Sequence, residues 1–162
     1  MNIELDYILG DKCMAETKII TDDFEFSFES SCLYDSFSTL IQTAKKLLLI
    51  KKIVVIPFFN KPSDPVYQLV VKKSNDRNVN IELRLYRDMA TYNRLGALEY
   101  DLIFEGETTL KAYIDNIYNI GYRIKRKYGF KEYKKMFMNP FPEEYFNKLS
   151  ELIEESKVNQ SL

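Results

Sequence analysis

The residues of this chain best suited to chemistry are carboxylates in predicted strands. Glu99 and Asp101 are separated by one residue, so in a strand both carboxylates would point to the same face. Two carboxylates on one face can share a magnesium ion, which prefers oxygen ligands. A solvated sheet face explains the same pair without an ion. We favour this second interpretation, and the sequence predicts no metal site.

Glu82 and Arg84 form a related pattern on the neighbouring predicted strand. Metal-dependent nucleases carry an acid-x-lysine pair on a strand, and here arginine stands in place of the lysine. An ion pair across neighbouring strands is the ordinary explanation for such residues. A magnesium-dependent hydrolase or nuclease built on Glu82, Glu99 and Asp101 is therefore the least favoured function for this chain.

The chain has no histidine. This excludes Ser-His-Asp and Cys-His nucleophiles and removes the commonest ligand of zinc, copper and non-haem iron. The five glycines lie far apart in the sequence, which excludes a Gly-rich phosphate-binding loop. These exclusions leave an enzyme only carboxylate chemistry, with or without magnesium, and lysine or tyrosine as a base. We expect a protein that is not an enzyme, has no catalytic residues and needs no cofactor.

The segment FEGE at residues 104–107 raises the question of an acidic site beside a glycine. The sequence predicts instead a joint between a strand that ends at residue 105 and a long helix. Gly106 can turn the chain at little steric cost, and a carboxylate at Glu107 would suit the positive end of the helix dipole. Thr108 or Thr109 would cap that helix.

Hydrophobic periodicity predicts strands and a helix in the first part of the chain. Strict alternation over residues 24–29 predicts a strand, and residues 2–9 and 17–20 are its expected partners in an N-terminal sheet. From Asp35 the apolar residues recur at three- and four-residue steps, which predicts an amphipathic helix capped by Asp35 or Ser36.

The rest of the chain predicts a strand-rich middle followed by helices. The expected strands are residues 53–59, 66–73, 79–87 and 97–105, with a polar loop at 92–96. A long helix ending at Gly129, a short helix at 130–137 and a helix opened by Pro142 are expected to follow.

Together these elements predict an α+β fold in a single domain. Short turns between the strands favour an antiparallel sheet, made of the N-terminal strands plus a four-stranded meander. The early helix and the C-terminal helices are expected to pack on it. The domain is expected to cover residues 1–156, with residues 157–162 as a frayed tail.

Several features predict a cytoplasmic protein that does not enter a membrane. The acids in residues 1–6 do not fit a signal peptide, and Lys51, Lys52 and Pro57 interrupt the longest apolar region. Cys13 and Cys32 are too few for a disulfide framework, and free thiols fit a reducing compartment. The sequence leaves open whether the two cysteines meet, and it leaves the oligomeric state open.

Charge is divided between two regions of the chain, although its sum is only −1. Residues 123–135 contain seven bases, one acid and interleaved aromatic residues. This composition could hold single-stranded nucleic acid, but the helix dipole alone favours cations at a helix end. We favour the second explanation, so nucleic acid is not an expected partner.

Residues 1–35 contain nine acids against two lysines. A solvated acidic edge is the ordinary interpretation of such a run. The alternative is a face that docks onto a basic protein, because opposite fields steer association.

The chain also resembles a family. FEG at residues 104–106, a long helix, YGFKEYKKMF at 128–137 and NPFP at 139–142 resemble the small bacterial immunity proteins of polymorphic toxin systems, including contact-dependent growth inhibition systems. The resemblance covers most of residues 53–153. It implies a protein that binds and neutralises a cognate toxin domain and performs no chemistry. One departure is the second strand of the meander, which has Tyr67 or Leu69 where a tryptophan is expected.

If the toxin is a basic nuclease, we expect the immunity protein to bind it through a small acidic set, with Tyr34 as an aromatic anchor. The expected acids are Asp22, Asp23, Glu25 and Glu29. Binding would occlude the active site of the toxin or a neighbouring surface. The alternative is a secretion chaperone or adaptor, which would hold an extended segment of an effector along a sheet edge or an apolar groove.

Overall fold

The computed structural model describes residues 1–94 and 98–160. Within these residues the elements follow one another in this order: β1 (Glu4–Leu9), β2 (Met14–Ile20), β3 (Glu25–Ser31), α1 (Ser36–Leu49), β4 (Ile53–Phe58), β5 (Val66–Lys73), β6 (Asn78–Tyr86), α2 (Met89–Asn93), β7 (Asp101–Thr109), α3 (Leu110–Phe137) and α4 (Glu143–Gln160). The α+β class is confirmed.

The strands form two antiparallel sheets, each a simple meander. The first has the order β1-β2-β3 and the second the order β4-β5-β6-β7. The division falls between β3 and β4, where the 14-residue helix α1 lies in the chain. One backbone hydrogen bond, from the Ser31 N–H to the Phe59 carbonyl at 2.9 Å, links the ends of the two sheets.

The inner faces of both sheets contribute to one hydrophobic core. In the three-stranded sheet, Tyr7, Thr17 and Phe28 are paired across the strands and all are buried. The Phe28 ring stacks on Tyr67 with 4.2 Å between centroids and meets Phe58 edge-on at 5.1 Å. Both partners belong to the four-stranded sheet, so Phe28 joins the two layers.

Helix α1 packs between β4 and the other long helices, and it begins as predicted. The Asp35 carboxylate accepts a hydrogen bond from the Ser38 N–H at 3.0 Å, which confirms the predicted cap. Burial of the Asp35 carboxyl raises its pKa, and the Ser38 N–H opposes this shift. The apolar face of α1 buries Phe37 and Ile41 against α3 and α4.

Helix α3 is interrupted at Gly129, which confirms the predicted end of the long helix. Gly129 has φ 69° and ψ −179°, a conformation that favours glycine. The short helix predicted for residues 130–137 follows it within α3. No helix in the described part of the chain is both long and apolar enough to cross a membrane.

The predicted joint at Gly106 is wrong. Strand β7 continues to Thr109, and Gly106 lies inside it, opposite Ile81 of β6. A Cβ atom at Gly106 would come within 3.0 Å of the Met1 and Phe104 side chains, so glycine is needed here for close packing rather than for a turn. Helix α3 starts at the next residue after β7, with Thr109 as its cap as predicted.

The prediction of a polar loop after β6 also needs correction. Residues 89–93 form the short helix α2, and the Asp88 carboxylate caps it by accepting a hydrogen bond from the Thr91 N–H at 2.7 Å. That backbone hydrogen bond holds the pKa of Asp88 below its ordinary value. Residues 95–97, which include the predicted start of the last strand, lie outside the described residues.

The structure pairs the two cysteines, a point that the sequence left open. Cys13 and Cys32 form a disulfide, and their Cα atoms are 5.2 Å apart. Cys13 has a left-handed φ of 62° in the β1–β2 turn, and its carbonyl accepts a hydrogen bond from the Cys32 N–H at 2.9 Å. Free thiols therefore no longer support a reducing compartment, and the cytoplasmic location stays a prediction.

Candidate functional site

The outer face of the three-stranded sheet carries several acidic side chains, including the predicted Glu25 and Glu29. We call it the acidic face. Its strand residues and the adjoining β2–β3 turn contribute the following charged residues: Glu4, Asp6, Glu16, Lys18, Asp22, Asp23, Glu25 and Glu29. Lys18 is the one cation among them.

Strand register produces this surface. Because side chains alternate along a strand, the residues between the buried ones all face solvent. Glu16 lies directly opposite Glu29, while Lys18 lies opposite Asp6 and Ser27. The Lys18 Nζ is 3.4 Å from the Glu16 carboxylate, so it compensates one acid and leaves the β3 edge negative.

The structure places the four predicted acids along β3 and the turn that precedes it. Glu25 and Glu29 lie on the exposed side of β3, an edge strand of its sheet. Asp22 and Asp23 are exposed in the turn that leads into the same strand. The prediction missed Glu4 and Glu16, although their two-residue spacing from Asp6 and Lys18 was a signal for a shared face.

Asp6 belongs to the acidic face by position but is already paired. Its carboxylate binds the Arg123 guanidinium of α3 and also accepts a hydrogen bond from the Tyr7 N–H. Arg123 donates a further bond to the Tyr7 carbonyl at 3.0 Å. Arg123, one of the bases in the predicted basic cluster, thus links α3 to β1.

Tyr34 lies beyond the other end of β3 from Asp22 and Asp23, five residues after Glu29, and that strand is about 20 Å long at the usual rise per residue. The Tyr34 ring packs on Phe59 with 4.6 Å between centroids, and its hydroxyl donates to the Met89 sulfur at 3.9 Å.

Tyr34 is instead the first member of a row of aromatic rings along the four-stranded sheet, which we call the aromatic row. Its members are Tyr34, Phe59, Tyr92, Tyr86 and Tyr100, with successive centroids between 4.6 and 5.6 Å apart. The side chain of Gln68, on the outer side of β5, donates to the Tyr92 hydroxyl at 3.1 Å. This row shields part of the outer sheet face from water, so Tyr34 has a structural role that the sequence did not reveal.

The carboxylates considered for magnesium do not converge. The Glu82 carboxylate is held by Arg84 of the same strand, with the nearest nitrogen at 2.6 Å. Glu82 lies opposite Glu105, whereas Asp101 lies opposite Leu85, and Glu99 precedes the strand. No group of three or more acids and cysteines that could hold a metal occurs in residues 1–94 and 98–160. The ion pair runs along β6 instead of across strands.

A cleft of about 490 Å³ lies between the ends of α1 and α4 and the start of α3. Leu48, Leu110 and Ile153 form apolar parts of its wall. At its rim Lys111 is bonded to Asp115 of the next helical turn. Asp76, Arg77 and Lys157 also line the cleft, so it combines an apolar wall with charged groups of both signs.

No family model matches the chain, and neither does any curated protein. Among solved structures, the chain is similar to a chain of the CdiA-CT/CdiI toxin and immunity complex from Enterobacter cloacae. The two are 12% identical with a TM-score of 0.48, and the match covers 75% of this chain and 98% of the other. That complex comes from the class of systems that the sequence resemblance names, but at this identity and TM-score the likeness carries no argument about function.

Proposed function

We propose that this chain is an immunity protein that binds a basic toxin domain through the acidic face and neutralises it. The carrying observation is the exposure of Asp22, Asp23, Glu25 and Glu29 along one edge of the three-stranded sheet. A cytoplasmic location, where such a toxin would act, completes the proposal.

The stability of the fold does not require this surface, which supports a role in binding. Like charges directly opposite each other across strands are unfavourable, by about 0.2–1 kcal/mol. Glu16 and Glu29 occupy such positions, and Lys18 lies near only the first of them. A surface that lowers stability is expected where function benefits from it.

The proposed mechanism is electrostatic docking followed by occlusion. A domain that cleaves nucleic acid needs a positive cleft, because it must attract a chain of phosphates. The acidic face presents carboxylates to such a cleft in the place of phosphates. The field of these charges accelerates the encounter, and the bound protein then excludes the substrate. No bond is made or broken by the immunity protein itself.

A secretion chaperone or adaptor is the second candidate function. The observation that favours it is the unpaired outer edge of β4 in the part of the chain that the structure describes, because an extended segment can add to such an edge. A chaperone would bind its effector without protecting cells against it, so protection distinguishes the two functions.

The test is affinity purification of the tagged chain from its native cells, followed by mass spectrometry and a protection assay. We expect stoichiometric recovery of the C-terminal domain of one large secreted protein, whose toxicity the chain abolishes. The double variant Asp22→Lys/Asp23→Lys should lose protection. The matched variant Glu151→Lys/Glu155→Lys on α4 changes the net charge equally and should protect. Recovery of an effector whose activity is not neutralised would favour the chaperone.

A further inference from the structure

The outer edge of β4 is open, and its register shows which backbone groups it presents. The Lys73 N–H donates to the Lys52 carbonyl at 2.8 Å, so Lys52 directs its backbone groups towards β5. In an antiparallel pair the residues alternate between facing the partner and facing away. Val54 and Ile56 therefore also face β5, while Ile53 and Val55 face the open side.

Ile53 and Val55 thus offer two N–H groups and two carbonyls to an additional strand. Within residues 1–94 and 98–160, β5 is the one strand that pairs with β4. Pro57 occupies the next outward position and has no N–H to offer, so it ends the row of donors. The edge is suited to a short extended segment.

Large apolar side chains are exposed beside this edge. Ile50 is 85% exposed, Ile53 is 53% exposed, Leu49 is 51% exposed and Val55 is 44% exposed. They cluster where α1 ends and β4 begins. Single exposed apolar residues are ordinary, but a contiguous group marks an interaction surface.

Exposed lysines surround the apolar group. Lys46, Lys51 and Lys52 flank it in the sequence, and Lys72 lies opposite Ile53 on β5. None of the ion pairs found among the described residues involves these four lysines. The surface therefore combines strand-edge hydrogen-bonding groups, an apolar centre and a positive rim.

We propose that the β4 edge binds an extended segment of a partner protein in which apolar residues alternate with acidic ones. Because side chains alternate along a strand, the apolar side chains of the segment would lie beside Ile53 and Val55, and its acids would lie on the opposite face, to which Lys52 belongs. A second copy of the chain fits less well, because it would bring two lysine rims into one interface. This surface is separate from the acidic face, so the proposal does not depend on the immunity function, whereas a chaperone would use this same edge.

A titration followed by nuclear magnetic resonance tests the proposal on the isotope-labelled full chain. The ligand is a short blocked peptide in which valine and glutamate alternate, and the control peptide has lysine in place of glutamate. We expect saturable shifts of the Ile53 and Val55 amides, with slower hydrogen exchange, for the first peptide alone. No saturable binding, equal binding of both peptides, or shifts confined to other residues would overturn the proposal.

Two variants separate the backbone contribution from the side-chain contribution. Val55→Pro removes an edge N–H, and Ile53→Ser removes apolar surface while leaving the backbone unchanged. Each variant should raise the dissociation constant of the peptide about tenfold or more. Leu102→Ser is the matched control, since Leu102 is 50% exposed on the opposite edge strand β7. Unchanged binding by Ile53→Ser would contradict the proposal even if Val55→Pro fails to fold.

Discussion

The two sheets share a core and an antiparallel meander, yet their outer faces differ. The three-stranded sheet follows strict alternation, so β3 exposes Glu25 and Glu29 while it buries Phe28. In the four-stranded sheet, β5 is buried on both sides over residues 68–71, because helix α2 and the aromatic row cover part of its outer face. One sheet therefore exposes uncompensated charge, and the other exposes apolar groups at its β4 edge.

The same backbone arrangement therefore presents two kinds of outer surface, one charged and one partly apolar. A charged face attracts a partner over long distances and gives fast association that salt weakens. An apolar strand edge acts at contact and depends on backbone geometry. The sheets can serve different partners, or different parts of one partner, as long as their common core holds them together.

The largest expected effect comes from breaking that common core. Phe28→Ala removes the ring that stacks on Tyr67 and meets Phe58, and it should lower the free energy of unfolding by about 3–5 kcal/mol. Urea unfolding measures the loss. Tyr122→Ala is the control, because Tyr122 is 47% exposed, and its loss should be much smaller. Equal losses would mean that Phe28 does not join the sheets.

A smaller loss is expected where β7 approaches the N-terminus. Gly106→Ala would place a Cβ atom 2.9 Å from the Phe104 ring and 3.0 Å from Ile3, and should lower the free energy of unfolding by about 1–3 kcal/mol. In Gly10→Ala the nearest atom, the Met14 carbonyl oxygen, would lie 3.4 Å from the new Cβ, an ordinary separation, so stability should hardly change. If Gly106→Ala left the free energy of unfolding unchanged, close packing would not be the reason for glycine at this position.

Neutralising one acid on each sheet should change stability in opposite directions. Glu82→Gln relieves the repulsion from Glu105 opposite it, but Glu105 is exposed to water, and the loss of the 2.6 Å ion pair with Arg84 should outweigh this gain and destabilise the fold by up to about 1 kcal/mol. Glu29→Gln removes the repulsion from Glu16 and should stabilise it by about 0.2–1 kcal/mol. Urea unfolding at low ionic strength measures both. Destabilisation by both variants would contradict a surface maintained for binding.

The smallest effect concerns the pH dependence of the α1 cap. Burial raises the pKa of Asp35 above its ordinary value of 3.8, so the folded state holds its proton to higher pH than the unfolded state. Between the pKa of Asp35 in the unfolded state and its higher pKa in the folded state, the free energy of unfolding of the wild type therefore falls as pH rises. Asp35→Asn keeps a capping acceptor but does not titrate, so it should lack this fall.

Asp88→Asn provides the opposite control for that pH dependence. The backbone hydrogen bond from Thr91 lowers the pKa of Asp88, so wild-type stability should rise with pH relative to this variant. Thermal unfolding across the acidic range distinguishes the two signs. The same slope for both variants would contradict the assigned causes.

Local signals predicted much of the fold. Strand β5 lies at the predicted residues 66–73, and α1 begins at its predicted cap, because alternation and capping depend on neighbours in the sequence. The features that were not predicted depend on contacts between residues far apart in the sequence. Gly106 is explained by Met1 and Ile3, and the disulfide is explained by the turn that brings Cys13 beside Cys32.

The candidate site was predictable to a similar extent. Composition identified an acidic region, and strand alternation placed Glu25 and Glu29 on one face. The position of Tyr34 could not be predicted, because it depends on packing against Phe59 and Met89. The β4 edge was likewise hidden, since the order of strands in the sheet decides which strand is an edge.

The association rate between this chain and its captured toxin domain, measured over a range of salt concentrations, tests the central claim most directly. Asp22→Lys/Asp23→Lys should slow association by about tenfold or more and flatten its salt dependence, because the steering field is reduced. Glu151→Lys/Glu155→Lys should behave like the wild type. An unchanged, salt-dependent association rate for the first variant would contradict binding through the acidic face.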